Sequence, residues 1–230
     1  MAKSRKKTVK KKVAGSSETA ILDAFVELAQ FKGVASVTLQ DVAESAEVAF
    51  GTVRYHFSEA GLNLTQEALI HVIKKAYAFI DERLYASRTQ PDFNPLHAYV
   101  RAMFEWAKSY RADGSLLVYY YYLCTTKTQV AIPNAVFLER ARLRVESLVH
   151  ESVGRALYAP VIEPVAVATK IHLQVLGACL IAGTLGTDEG YESQLKMCLE
   201  LADQTVRASA VKPTPQSEMV TDRSSEWPED

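Results

Sequence analysis

The stretch 38–57, TLQDVAESAEVAFGTVRYHF, limits what this chain can fold into more than any other. Thr38 can cap a helix, its hydroxyl accepting from the backbone N–H two or three residues on. Asp41 then sits at the positive end of the helix dipole. Leu39, Val42 and Ala43 fall at i, i+3 and i+4 and form one apolar stripe. The stripe breaks around Ser45-Ala46-Glu47, and Val48 starts a new phase that Val53 and Phe57 continue. This predicts two short helices, over about 39–46 and 49–57, set at an angle across a tight turn. Gly51 leaves a bare patch on the second, where another backbone or a phosphate can come close.

With Val48, Val53 and Phe57 holding the inward phase, Ala49, Phe50, Thr52, Arg54, Tyr55 and His56 cannot all be buried. Two such helices, the second ending in basic and aromatic residues, are the parts of a helix-turn-helix. Hydroxyl and imidazole groups suit phosphate oxygens, which set register without reading sequence. Arg54 can reach guanine N7 and O6 bidentately or bind a phosphate, and Phe50 and Ala49 can meet a thymine methyl. Gln40, on the first short helix, joins this set of DNA-contact candidates.

The order T-x(3)-V-A-x(4)-V-x(2)-G-T-x(2)-Y-H-F resembles the DNA-binding segment of TetR-type transcriptional regulators. The recognisable pattern covers about residues 18–84, and the remainder agrees only in length and helical character. The resemblance implies an all-α fold, with an N-terminal three-helix helix-turn-helix domain. A long helix would join it to a C-terminal helical bundle for ligand binding and dimerisation. It also implies phosphate contacts at Thr38, Thr52, Tyr55 and His56. Two reading units would sit about 34–36 Å apart on a near-palindromic operator. Three departures stand out. Arg54 occupies a position where the family often has tyrosine, and Ala49 one where a small hydroxyl residue is common. Ser58-Glu59-Ala60-Gly61 lacks the lysine usual at the start of the long helix, which leaves one phosphate clamp unfilled.

Bulk charge says nothing here, being −1 over 230 residues; its distribution says more. Residues 3–12 hold seven Lys/Arg and no acid, Lys6, Lys7, Lys10, Lys11 and Lys12 among them. Residues 18–57 carry six acids against Lys32 and Arg54. An arm over 1–17 is expected to be disordered alone and, beside a helix-turn-helix, to follow phosphates or enter a minor groove. The 211–230 tail is acidic and expected to be disordered.

Between arm and tail the periodicity is helical throughout. Ile21, Phe25, Leu28 and Ala29 mark an amphipathic helix that Gly33 ends, and 18–62 reads as the helix-turn-helix domain. The second domain, 63–210, opens with a long helix over 63–86 bearing Leu69, Ile73, Ile80 and Leu84 on one face. Prolines and Asp113-Gly114 divide the rest into helices over about 96–111, 116–126, 133–157, 164–186 and 193–208. The 164–186 helix is apolar almost all round and must be covered on several sides. With His172, Gln174 and several glycines inside it, it is not read as a membrane span.

Tyr119-Tyr120-Tyr121-Tyr122 spans about 300° of a helix and cannot line one cavity as a whole. Leu117, Tyr120, Tyr121 and Cys124 share a face. With Tyr99, Met103, Trp106, Tyr110 and His172, and His97 nearby, they form either ordinary core or an effector pocket, apolar with a few polar tips. No charged residue marks its floor, so a neutral, hydrophobic or aromatic ligand is expected. Leu173, Leu176, Gly177, Leu180, Gly183, Leu195 and Leu199 form the expected dimer face, where glycines allow close approach; the alternative is the central helix of a monomer.

Enzyme signatures are missing: there is no phosphate-binding glycine loop, HExxH, GxSxG or dense His/Cys/Asp cluster, so no metal or cofactor is expected. Cys124, Cys179 and Cys198 are far apart and read as buried thiols in a reducing cytoplasm, no signal-peptide pattern being present. The expectation is a dimeric regulator, a repressor released by a small molecule. A ligand-independent activator or architectural binder, and a helical interaction module whose DNA binding has decayed, stay open.

Overall fold

The computed structural model describes residues 17–57 and 62–211. Lys6, Lys7, Lys10, Lys11, Lys12, the segment 58–61 and the acidic tail lie outside the described residues. Among the described residues nine α-helices form, with one isolated bridge between Val161 and Ala210. They are α1 Ser17–Lys32, α2 Leu39–Ser45, α3 Phe50–His56, α4 Leu62–Ser87, α5 Pro95–Ser109, α6 Arg111–Thr126, α7 Thr128–Gly154, α8 Pro164–Leu185 and α9 Asp188–Ala208. The fold is all-α, as the periodicity requires.

The two short helices are set by local chemistry. Thr38 Oγ1 accepts from the Asp41 backbone N–H (3.1 Å), and Asp41 Oδ2 accepts from the Thr38 N–H (3.0 Å), closing a capping box. Lys32, in the last turn of α1, donates to Asp41 Oδ1 at 2.7 Å and ties the helices together. The turn into α3 places Glu47 at φ 56, a left-handed conformation that a non-glycine residue adopts at a cost. Val42, Val53 and Phe57 are buried with Ile21, Phe25 and Val26 of α1 and Leu64, Leu69 and Val72 of α4.

Three helix boundaries differ from the sequence reading. Asp113-Gly114 does not break the chain: α6 begins at Arg111, and buried Asp113 sits in its first turn facing Lys75 of α4. Helix α7 begins at Thr128, so Pro133 lies inside it, in the second turn, where its missing N–H takes one bond from the ladder. Helix α9 begins at Asp188 because Thr187 caps it, its hydroxyl accepting from the Gly190 N–H at 3.1 Å. Gly186, at φ 68, ends α8 in the left-handed form that suits glycine.

Helix α8 packs between α7 and α9, burying Val167, Ala168, Ile171, Val175, Ala178 and Ala182. It is long and apolar enough to cross a membrane by length and composition alone, yet its buried side is the inner wall of the bundle. The sequence demands cover on several sides; the single chain supplies most of it and leaves one side open. Leu173, Ile181 and Leu185 remain more than half exposed.

The capping box gives an acid-sensitive contribution. The hydrogen bond from Lys32, with those from Thr38, pulls the Asp41 carboxyl from 3.8 to about 2. A folded-state value below the unfolded one adds stability that is present above about pH 5 and lost as pH falls toward 2. Urea midpoints measured across that window should fall less steeply for Asp41→Asn than for the wild-type chain.

Candidate nucleic-acid interface and buried cavity

Helix α3 turns Val53 inward and its other residues outward. Tyr55 is 85% exposed, Phe50 42%, and Ala49, Gly51 and Arg54 are also exposed, with Thr52 half-buried. Arg54 makes no ion pair among the described residues. A Cβ on Gly51 would meet nothing within 4 Å, so packing inside the chain does not explain a glycine there. His56 is less free: its Nε2 lies 3.0 Å from Ser17 Oγ, at the start of α1. Thr38 is exposed, but its hydroxyl donates to Asp41 Oδ2 at 2.9 Å, so a phosphate contact from it would have to open the capping box. Gln40 is exposed on α2 and donates to Glu44 at 2.9 Å.

Behind α4 lies a cavity of about 100 Å³, walled by α4 to α8. Tyr99, Met103, Trp106, Leu117, Tyr120, Tyr121 and His172 line it together, as do Ile73, Tyr77 and Ile80 of α4. Two expected members are elsewhere. Tyr110 stands between α5 and α6, its ring edge-on to Phe79 (5.7 Å) and 5.5 Å from the Lys75 ammonium, on an outer cleft. Cys124 is in the last turn of α6, its Sγ 3.9 Å from the Val130 carbonyl where α7 begins. His97 is also absent from the wall, since it pairs with Asp203 of α9 at 2.7 Å. Conversely Leu176 and Leu180, expected on a dimer face, line the cavity, while Leu173 faces out and Leu195 and Leu199 are half-buried. A Cβ on Gly177 would meet nothing, and one on Gly183 only the Tyr191 hydroxyl at 3.8 Å. The thiols are free, and burial pushes that of Cys179, a wall residue, well above its ordinary range.

The expectation of an uncharged wall is overturned by Arg144 of α7. Its guanidinium stacks over the Tyr77 ring at 4.6 Å, and Nη2 donates to Asp81 of α4 at 3.0 Å. In the sequence it stands among the charged residues Glu139, Arg140, Arg142 and Glu146. The finer signal was its phase: Arg144 is three residues after buried Ala141 and four before buried Leu148.

A cluster of charges joins the two halves of the molecule. Asp23 of α1 meets His71 (2.9 Å) and Lys75 (3.0 Å) of α4, and Lys75 reaches Asp113 of α6 (3.6 Å). Burial pushes the Asp113 carboxyl up. The same burial opposes the Lys75 charge, but Asp113 and Asp23 outweigh it and leave that ammonium raised.

No protein-family model matches the chain, and no curated protein does. Solved structures do match. A TetR transcription regulator from Haloarcula marismortui aligns with TM-score 0.70 and 15% identity, over 82% of this chain and 97% of that one. The fatty acid degradation regulator FadR from Bacillus halodurans gives 0.68 and 16%, over 83% and 96%. A transcriptional regulator from Saccharomonospora viridis, solved with choline, gives 0.65 and 15%, over 81% and 95%. The chain has the fold of TetR-type regulators.

Removing the cation from the cluster leaves Asp113 buried against nothing. Lys75→Met should cost about 1–2 kcal/mol in urea unfolding, the partial exposure of Lys75 screening the rest. Adding Asp113→Asn should recover most of that loss, since the buried group is then neutral.

Proposed function

We propose that the chain is a DNA-binding transcriptional regulator, a repressor released from a near-palindromic operator when a small molecule enters the cavity. The observation that carries this is the outer face of α3. Arg54, Tyr55, Phe50, Thr52 and Gly51 are left outside by the core, on a short helix whose neighbours fix its angle. Such a helix fits a major groove. Arg54 is the candidate base reader; Thr52, Tyr55 and, on leaving Ser17, His56 are the candidate phosphate contacts. The basic arm, with Lys6, Lys7, Lys10, Lys11 and Lys12, would add sequence-independent attraction where the helices themselves are acidic.

Operator reading by a pair needs a second copy. The apolar face of α8, with Leu173, Ile181 and Leu185 exposed and Gly177 unexplained by internal packing, is the surface proposed for it. Release requires the ligand to bind the non-DNA form better. Helix α4 is the part placed to transmit this, because it forms cavity wall at one end and helix-turn-helix support at the other.

Fluorescence anisotropy on random-sequence duplex at two salt concentrations tests the core of this reading. Binding should weaken as salt rises, with a shallower slope once residues 3–12 are removed. A chain that ignores duplex, or binds it with no salt dependence, would be the decayed interaction module instead. Arg54→Ala on a selected operator should cost about 1–3 kcal/mol and relax preference at one base pair. An equal loss over all sequences would make Arg54 a phosphate contact.

A further inference from the structure

Five buried side-chain polar atoms among the described residues have no hydrogen-bond partner in the protein, and three of them belong to cavity-wall residues: Trp106 Nε1, Arg144 Nη1 and His172 Nε2. Two of these can only donate. The third donates in the tautomer whose Nδ1 accepts from Tyr99. The Tyr99 hydroxyl lies 3.3 Å from His172 Nδ1. Burial holds the Tyr99 phenol protonated and pulls His172 toward its neutral form, one tautomer of which accepts that O–H at Nδ1 and carries the ring proton on Nε2. Of the other wall phenols, Tyr77 donates to the Phe137 carbonyl (3.0 Å) and Tyr120 to that of Val130 (3.4 Å).

The wall is mostly apolar, and the buried atoms left unpartnered on it include two obligate donors, Trp106 Nε1 and Arg144 Nη1. One of its donors carries a formal charge that Asp81 meets only at Nη2. A buried donor left unpaired is costly, and a carboxylate oxygen relieves that cost best. We propose that the cavity takes a small apolar or aromatic molecule bearing a carboxylate, held by Arg144 with Trp106 and His172. The proposal rests on reading the cavity as the effector site and replaces the neutral ligand that the sequence alone suggested. About 100 Å³ is less than the space of a cavity known to admit benzene, so even an acid as small as benzoate enters only as the wall yields.

The test uses the full chain, with benzoate, its uncharged isostere nitrobenzene, and benzylamine, in isothermal calorimetry near neutral pH. Benzoate should bind about tenfold or more tightly than nitrobenzene, as expected for a charge-assisted pair, and benzylamine should not bind. Arg144→Met should remove the benzoate preference, bringing benzoate affinity down to that of nitrobenzene. Trp106→Phe, which disturbs no ion pair, should weaken benzoate several-fold more than nitrobenzene; it decides the matter should Arg144→Met lose its helical circular dichroism. Equal affinity for benzoate and nitrobenzene, or no benzoate binding, overturns the proposal. Duplex binding, followed separately by anisotropy, keeps the two readings apart. A chain that binds duplex but shows no preference for the acid loses only this inference. One that prefers the acid but never binds duplex loses the regulator and keeps the site.

Discussion

One helix is wall to two different interiors, and the molecule is arranged around that fact. Helix α4 runs for 26 residues, about 39 Å at the usual rise. Leu64, Ala68, Leu69 and Val72 close the core under α2 and α3, and Ile73, Ala76, Tyr77 and Ile80 then wall the cavity. The change of partner falls between Val72 and Ile73, within one turn and without a kink-forming residue. If this helix moves as a unit, like a rod, a displacement at its cavity end reaches the other end.

Charge fixes the rod where apolar contact alone would let it slide. Lys75 holds α1 and α6 through Asp23 and Asp113, and Asp81 holds α7 through Arg144. The two anchors differ in kind. Around Lys75 the carboxylates compensate the cation from two sides, which suits a fixed joint. At Arg144 only Nη2 is engaged and Nη1 is left without a partner, which suits a joint whose balance an occupant can change. Since α4 supplies both Lys75 and Asp81, the two joints lie on the same rigid element.

How much of this could be read from the chain divides by the range of the interactions involved. The α2–turn–α3 unit was legible because its determinants are local: the Thr38–Asp41 box, the phase of Val42 and Val53, and the break before Val48. The all-helical architecture followed from periodicity. The start of α6 was not legible, because Asp113-Gly114 carries turn chemistry and what keeps it helical is Lys75, nearly forty positions away. Arg144 was hidden by its charged neighbours along α7, and only Tyr77 and Asp81 on another helix show which way it lies. Tyr110 and Cys124 were drawn into the pocket by spacing, yet both sit at helix ends, where direction is set by the next element. The run of four tyrosines divides by angle: Tyr120 and Tyr121 line the cavity, and Tyr119 lines a separate cleft with Phe25 and Leu64.

Helix α8 adds a second route between the cavity and the world outside. Leu176 and Leu180 form one ridge along it and line the cavity. Leu173, Gly177 and Ile181 form the neighbouring ridge, offset by one residue and about 100° of rotation, and Leu173 and Ile181 are exposed. A helix cannot turn one ridge without turning the other. If a second copy rests on the outer ridge, a molecule that presses on Leu176 and Leu180 acts on the pairing angle as well as on α4. The two effects then converge on one quantity, the separation of the two α3 helices. Under the proposed function, linkage would make the relation mutual: duplex that fixed this separation from below would weaken the ligand's hold by the same factor that the ligand weakened the duplex's.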